Sequence, residues 1–263
     1  PGLGGDGNMI SPAHSYVKNF GMASGLPIEA EGSGYDPADP WSNRDPRFYK
    51  TILYDGVRVI KGDGNEAYRY ANLYNEGNYR NDGTGSRSGY MLRKFMHLTI
   101  NNSDNEGRNI ILLPAYLRLA DVYYMYAEAV LHGYGSATSS HPGYMTAVEA
   151  VNKVRERAGV PGVDERYLGS KDAFMGEIIR ERAVELAFEA NLRFMDLRRW
   201  MIAEQKQYKE KTALDFDRGD DGKPINMKER IVVNRVFESK HYWLPLPTDQ
   251  VNLYPELYQN PGW

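Results

Sequence analysis

From about residue 112 the apolar positions recur at intervals of three and four. Leu112, Tyr116, Leu119, Ala120, Tyr123, Ala127, Val130 and Leu131 fall on one face of an amphipathic helix, which Gly133 and Gly135 end. After Pro142 a second helix turns Ala147, Val148, Val151, Val154 and Ala158 inward and stops at Gly159. Ser170 caps a third, with Phe174, Ile178, Ile179, Leu186 and Phe188 among its apolar positions. A fourth runs from about Leu192 to Gln207, with Phe194, Leu197 and Met201 on its buried side. The pattern predicts two antiparallel helix pairs, 112–132 with 144–158 and 171–190 with 193–207. Before residue 110 no helical period is found. Short strand-like runs at 51–54, 57–60 and 90–93 lie among glycine turns at 5–7, 32–34, 62–64 and 83–85. Asp55-Gly56 reads as a two-residue hairpin turn between the first two runs.

The expected architecture is therefore mostly α. It has a loop-rich, ligand-facing region over 1–109 with a few short strands, and a helical repeat-like scaffold over 110–263. Tyr116, Leu119, Ala120 and Tyr123 have the first-helix spacing of a tetratricopeptide repeat. Ala147, Val151 and Val154 have the second, with Pro161 closing it. Such pairs cannot bury their own faces and must stack on further helices. The chain opens Pro-Gly-Leu-Gly-Gly with no Met and no signal peptide. We expect one fold that lacks its N-terminal part, where further helix pairs would lie. The last residues hold Leu-Pro-Leu-Pro (244–247), Asn252, Pro255 and Gln259-Asn260-Pro261-Gly262 before Trp263. Proline fixes φ and donates no hydrogen bond, so this tail is expected as an extended strap along the surface, neither helix nor central strand.

Composition removes several functions. A formal net charge of −3 argues against nucleic acid, which wants a basic face. No run of eighteen apolar residues crosses a bilayer. The absence of Cys excludes disulfides, thiol catalysis and zinc-thiolate sites, and the five His offer no i,i+4 metal pair. No phosphate loop, nucleophile elbow or Ser-His-Asp arrangement can be placed. Tyr outnumbers Phe by 20 to 8, and Tyr suits wet interfaces and sugar contacts.

Several segments carry a resemblance. Arg180-Glu181-Arg182-Ala183-Val184-Glu185-Leu186-Ala187-Phe188-Glu189 is followed by Arg193-Phe194-Met195-Asp196-Leu197-Arg198-Arg199-Trp200. Tyr116-Leu117-Arg118-Leu119-Ala120-Asp121-Val122-Tyr123 precedes Tyr126-Ala127-Glu128-Ala129. Val154-Arg155-Glu156-Arg157-Ala158-Gly159-Val160-Pro161 and Asn43-Arg44-Asp45-Pro46-Arg47-Phe48 complete the set. In this order, and with the Gln-Asn-Pro-Gly tail, they resemble the C-terminal part of the SusD/RagB family, glycan-binding lipoproteins of Bacteroidetes outer membranes. Where many members have Glu-Gly, this chain has Glu189-Ala190-Asn191, and Asn191 can supply the left-handed corner. The resemblance implies a SusD-like fold and capture of oligosaccharide or polysaccharide, with no chemistry and no cofactor. It also implies a surface-exposed lid over a SusC-like TonB-dependent transporter, serving nutrient uptake. The membrane anchor would be an N-terminal lipidated Cys absent from this chain. The alternatives are a helical-repeat module that binds only protein, and a glycoside hydrolase, which needs two unpaired carboxylates on opposing loops.

Glu185 and Glu189 stand one turn apart on one helix face, a spacing open to acid–base work. Each acid of this stretch has an Arg three or four residues away, however, and charge-paired carboxylates make poor general acids. Arg182, Glu185, Glu189, Arg193 and Asp196 are therefore expected as a buried structural lattice, paired with one another or with backbone. Asp215-Phe216-Asp217 with Asp220-Asp221-Gly222 faintly resembles a calcium loop but lacks the alternate ligands and the bidentate Glu. No metal site is assigned. The candidate sugar-binding residues are Trp41, on a proline-stiffened loop, with Tyr35, Asn43, Tyr70 and Tyr74. The tyrosine-rich stretch from Tyr68 to Tyr79 is the second choice should the Trp41 ring be buried.

Overall fold

The computed structural model describes residues 10–59, 69–80, 85–96, 115–254 and 256–263. Ile60, Tyr68, Leu112, Pro255 and the glycine turns at 5–7 and 62–64 lie outside these residues. The first part holds α1 (His14–Val17) and α2 (Pro46–Thr51), which runs straight into β1 (Ile52–Leu53). Pro46 follows an N-cap, Asp45, whose side chain accepts from the Arg47 N–H. β1 pairs antiparallel with β2 (Met91–Leu92), not with the run at 57–60. Val57 and Val59 bond instead to Ala71 and Arg69. Asp55-Gly56 still turns the chain, but Asp55 is drawn inward to accept from Leu73 N and Arg218, so the two flanking runs diverge.

The helices follow: α3 (Leu119–Tyr134), α4 (Ala147–Ala158), α5 (Lys171–Glu185), α6 (Leu192–Arg199) and α7 (Lys206–Lys209). Their ends are those the sequence signals. Gly135 and Gly159 are left-handed at φ 77° and 75°, Ser170 caps Ala173 N, and Asn191 turns the corner at φ 58°. Thr146 and Glu149 add a capping box. Three expectations need correction. α3 begins at Leu119 and buries Ala120, Tyr124, Ala127, Val130 and Leu131, leaving Tyr116 89% exposed. α5 packs on α3, as α4 does, rather than pairing with α6. α6 stops at Arg199, with Met201 left-handed at φ 56°; it turns Asp196 inward to Arg182 and leaves Phe194 and Met201 outside. Leu119, Val122 and Met125 on α3 and Phe194 and Met195 on α6 are exposed, the surface a further helix pair would need if this unit stacks.

β3 (Glu210–Arg218) and β4 (Pro224–Asn234) then form a long antiparallel hairpin, an element not anticipated. Leu214 and Phe216 drop from β3 into a core with Phe20, Trp41, Phe48, Ile52, Leu73 and Tyr90, to which α5 adds Val184. A second core joins α3, α4 and α5 through Tyr124, Leu131, Val151, Phe174 and Ile178.

The tail is less extended than expected, since Thr248–Leu253 form a one-turn helix, α8. It folds back on itself. Gln259 clasps Leu246 by both its backbone groups, Asn260 donates to the Leu244 carbonyl at 2.6 Å, and the Trp263 indole donates to Trp243 and Lys240 carbonyls. These bonds satisfy a proline-broken backbone that has no ladder of its own.

His14 is buried against the Tyr90 hydroxyl at 3.1 Å. Burial drives its pKa down to about 4, Glu229 opposes this, and Lys18 and Arg44 reinforce it. The unfolded chain therefore takes up a proton first as pH falls, and stability drops between 6.5 and about 4. His14→Gln keeps a hydrogen-bonding group and should flatten that part of the pH–stability curve in chemical denaturation. A wild-type curve already flat there would contradict this.

Candidate functional site

The acids at the end of α5 and just beyond it are paired with basic side chains. Glu181 is fully buried, accepting from Arg155 at 2.5 Å, Arg47 at 2.8 Å and the Tyr124 hydroxyl at 3.3 Å. Burial alone would raise its pKa, but Arg47, Arg180 and Arg155 outweigh that and hold it far below the carboxylate range. Arg182 bridges Asp121 and Asp196 at 2.5 and 2.8 Å. Glu185 accepts from Arg118 and Arg157, and Glu189 from Arg118 and Lys94. The same Lys94 reaches the Glu185 and Ala187 carbonyls, closing the end of α5. Burial would raise the Glu189 carboxyl, but Arg118 and Lys94 hold it below its ordinary value. The expectation of pairs within the stretch thus changes: the partners of Glu185 and Glu189 come from other elements. Arg193 is a correction of another kind. It is half-buried and, among the described residues, meets no carboxylate and donates only to the Ile179 carbonyl at 3.0 Å.

Gly25 illustrates how tightly this lattice is built. Arg155 donates to its carbonyl at 2.9 Å, and a Cβ there would stand 2.4 Å from the guanidinium, at a φ of +84°.

Trp41 is not an exposed platform. Its ring is 6% exposed, packed 5.3 Å from Phe216 and 5.4 Å from Tyr54 between centroids, and its indole donates to the Tyr90 hydroxyl. The cause is the unforeseen hairpin, which lays Phe216 over it. Tyr35 is half-buried with the Arg44 guanidinium 5.7 Å from its ring, and Asn43 is exposed in a left-handed corner. The structure does not bring these two to an open Trp41 face.

Tyr70 and Tyr74 fare differently. Ala71 and Leu73 are fully buried, so the alternation of this extended segment turns residues 70, 72 and 74 outward. Tyr70 is 42% exposed. Tyr74 is half-buried, with the Arg218 guanidinium 4.4 Å from its ring, and Arg218 is fixed by two bonds to Asp55. Beside it, Asn75 and Asn226 donate to opposite oxygens of Asp217 at 2.7 and 3.0 Å. Those bonds hold the Asp217 carboxyl below its ordinary pKa. Tyr74, packed partly on the core, is thus bordered by preorganised amides, a carboxylate and a guanidinium, and Tyr70 is exposed four residues before it. Asp215, meanwhile, is taken by Arg80 and Arg230, and among the described residues no cluster of His, Cys, Asp and Glu could hold a metal.

The SusD family model matches residues 1–263, the whole chain. The chain belongs to the SusD family. Among solved structures, it is 24% identical to a SusD-like protein from Bacteroides fragilis, with a TM-score of 0.70 over 96% of this chain and 47% of that one. A SusD-like carbohydrate binding protein from the same species is 22% identical, with a TM-score of 0.65 over 96% of this chain and 51% of the other. The chain thus spans about half the length of the solved relatives it matches. No curated protein sequence matches it. At these identities the likeness establishes the SusD-like, mostly-α fold.

Within this SusD-family chain, the site residues missed from sequence are Asn75, Asp217, Arg218 and Asn226. One signal was present: Ile225, Met227, Ile231 and Val233 recur at even spacings across a segment preceded by Asp221-Gly222, a strand-and-turn pattern.

Proposed function

We propose that the chain binds oligosaccharide or polysaccharide at the outer-membrane surface and hands it to a SusC-like TonB-dependent transporter for uptake. Full-length protein would be lipid-anchored and exposed at the cell surface. Its ligand face is the row of Tyr70 and Tyr74 with Asn75, Asp217, Asn226 and Arg218. The observation that carries this reading is the pairing of outward tyrosines with polar groups already held in place. A sugar offers an apolar C–H face to a ring and hydroxyls to fixed donors and acceptors, and groups held in advance lose little entropy on binding. Membership of the SusD family and a solved relative described as carbohydrate-binding support the same class of ligand. The chain carries out no chemistry in this reading. Glu185 and Glu189, the pair open to acid–base work, share Arg118 and so do not supply the unpaired carboxylates a glycoside hydrolase needs. Among the described residues no helix is long and apolar enough to cross a membrane, so attachment would be through the lipid.

Covering one face of the Tyr70 ring would bury about 70 Å² of apolar surface, worth roughly 2 kcal/mol and on the order of thirty-fold in affinity. Tyr70→Ala should therefore weaken binding of neutral oligosaccharides selected on a glycan array by that factor, with an unchanged melting temperature. A variant that binds as the wild type does would remove this face from consideration. A protein-only interaction module is favoured if no glycan on the array is retained.

A further inference from the structure

A cleft of about 580 Å³ opens between α1, α5, α6, α7 and β3, away from the Tyr70 face. It is in the size range of small-ligand sites. Arg193 and Lys211 both line it, and among the described residues neither is ion-paired with a carboxylate. Arg193 commits one N–H to the Ile179 carbonyl and rests over the Tyr208 ring, 5.3 Å from its centroid. Lys211 projects from β3 into surroundings made positive by its neighbours. Burial pushes its ammonium down to about 8, and Arg235 and Arg193 add to the effect.

Two of the three acids in the cleft wall face lysines of the same wall. Glu229 is paired with Lys18 at 2.6 Å, and Glu210 faces Lys206 at 3.8 Å. Glu29, the third, lines the cleft as an exposed side chain that also raises the Tyr35 and Arg44 pKa values. Two cations brought together without a counter-ion are held at a cost in desolvation and repulsion. The buried polar network next door does the opposite, matching each Arg of α5 to an acid. An arriving oxyanion would relieve both terms, with the Arg193 fork donating to two oxygens and Lys211 acting as a point charge. Ser15, Asn19 and the Tyr208 ring stand in the same walls for the hydroxyls and C–H face of a sugar.

We propose that this cleft is an oxyanion subsite that takes the carboxylate of an acidic sugar, a uronate unit of a glycan. The sugar part rests on the reading of the chain as a glycan binder, whereas the anion part rests on the cleft alone. Lys211 and Asp217 are six residues apart on β3, about 20 Å of strand, so the two faces are separately addressable.

The test is calorimetric titration of the whole chain with a galacturonic acid trimer, its methyl ester and galactose 6-sulfate, and with a neutral glycan that the array selects. The acid trimer should bind at least ten-fold more tightly than the ester. Lys211→Gln should remove that advantage, Lys211→Arg should restore most of it, and Tyr70→Ala should leave it unchanged. Arg193→Lys keeps the charge but loses the fork and should cost three- to ten-fold, which provides a second variant should Lys211→Gln melt early. Galactose 6-sulfate binding with the same Lys211 dependence would extend the subsite to sulfated sugars. Equal binding of acid and ester, no binding of either, or an acid affinity untouched by both substitutions overturns the proposal. Neutral-glycan binding that fails only in Tyr70→Ala would then leave the general glycan reading intact. Lys211-dependent uronate binding without any neutral-glycan binding would instead sink the Tyr70 face and keep the cleft.

Discussion

Replacing Glu181 by alanine should lower the melting temperature by about 10 °C. The carboxylate is completely buried and sits where α2, α4 and α5 meet, holding Arg47 and Arg155 in ion pairs and Tyr124 by a hydrogen bond. Its removal leaves Arg155, 1% exposed, with Glu177 at 3.7 Å as its remaining carboxylate, while Arg47 keeps its bonds to Asp45. Breaking such a pair by deleting one partner costs roughly 3–5 kcal/mol, because the remaining charge has lost its water and gained nothing. In a chain of this size each kcal/mol shifts the melting temperature by about 2–4 °C. Glu181→Gln preserves the shape yet not the charge, so it should fall close behind. The pH dependence has a definite sign. The folded pKa lies below the ordinary 4.5, so the unfolded chain binds protons first. The stabilisation is whole above pH 4.5 and is lost as pH falls further. Thermal melts of the three proteins at neutral pH and at pH 4 check both statements. A Glu181→Ala melting point within 2 °C of wild type would mean that the neighbouring Glu177 and Glu185 compensate.

Trp41→Ala should cost stability, roughly 3–5 kcal/mol, because a large ring is deleted from a packed core. The cavity would open between Phe216, Tyr54 and Tyr90, joining the N-terminal loops to the β3–β4 hairpin. Trp41→Phe fills most of that space and loses only the long indole hydrogen bond, so it should cost much less. Any loss of glycan affinity in Trp41→Ala should track unfolding, since the ring faces Tyr54 from beneath and not the solvent. Urea denaturation together with binding at a temperature well below the melt distinguishes the cases. A variant of unchanged stability that no longer binds glycan would return Trp41 to the ligand face and refute its burial.

The two substitutions divide what was legible from what was not. The Gly159 stop and the Ser170 cap determined the end of α4 at Ala158 and the start of α5 at Lys171, because local hydrogen bonding acts within a helical turn; α4 begins three residues later and α5 ends five residues earlier than the apolar spacing implied. Asn191 was legible for the same reason, a left-handed corner being a property of one residue. The family resemblance was legible because it rests on short segments kept in order. The start of α3 and the stop of α6 were not: α3 begins at Leu119 although the apolar spacing runs back through Tyr116, and α6 ends at Arg199, with Met201 beyond it in a left-handed conformation. Nor were the partners of the α5 acids, for Arg47 lies 134 residues from Glu181 and no period connects them. The fate of Trp41 turned on a second distant contact. Its loop has the sequence of an exposed platform, and only the arrival of Phe216 from a hairpin 175 positions along the chain makes it a core residue. The same hairpin brings Asp217, Arg218 and Asn226 to Tyr74 and Asn75. The sequence by itself thus determined the helices and their local caps, which depend on neighbours within a turn. The tertiary structure alone decided which polar and aromatic side chains meet, because burial and charge pairing are settled between segments that the chain order keeps far apart.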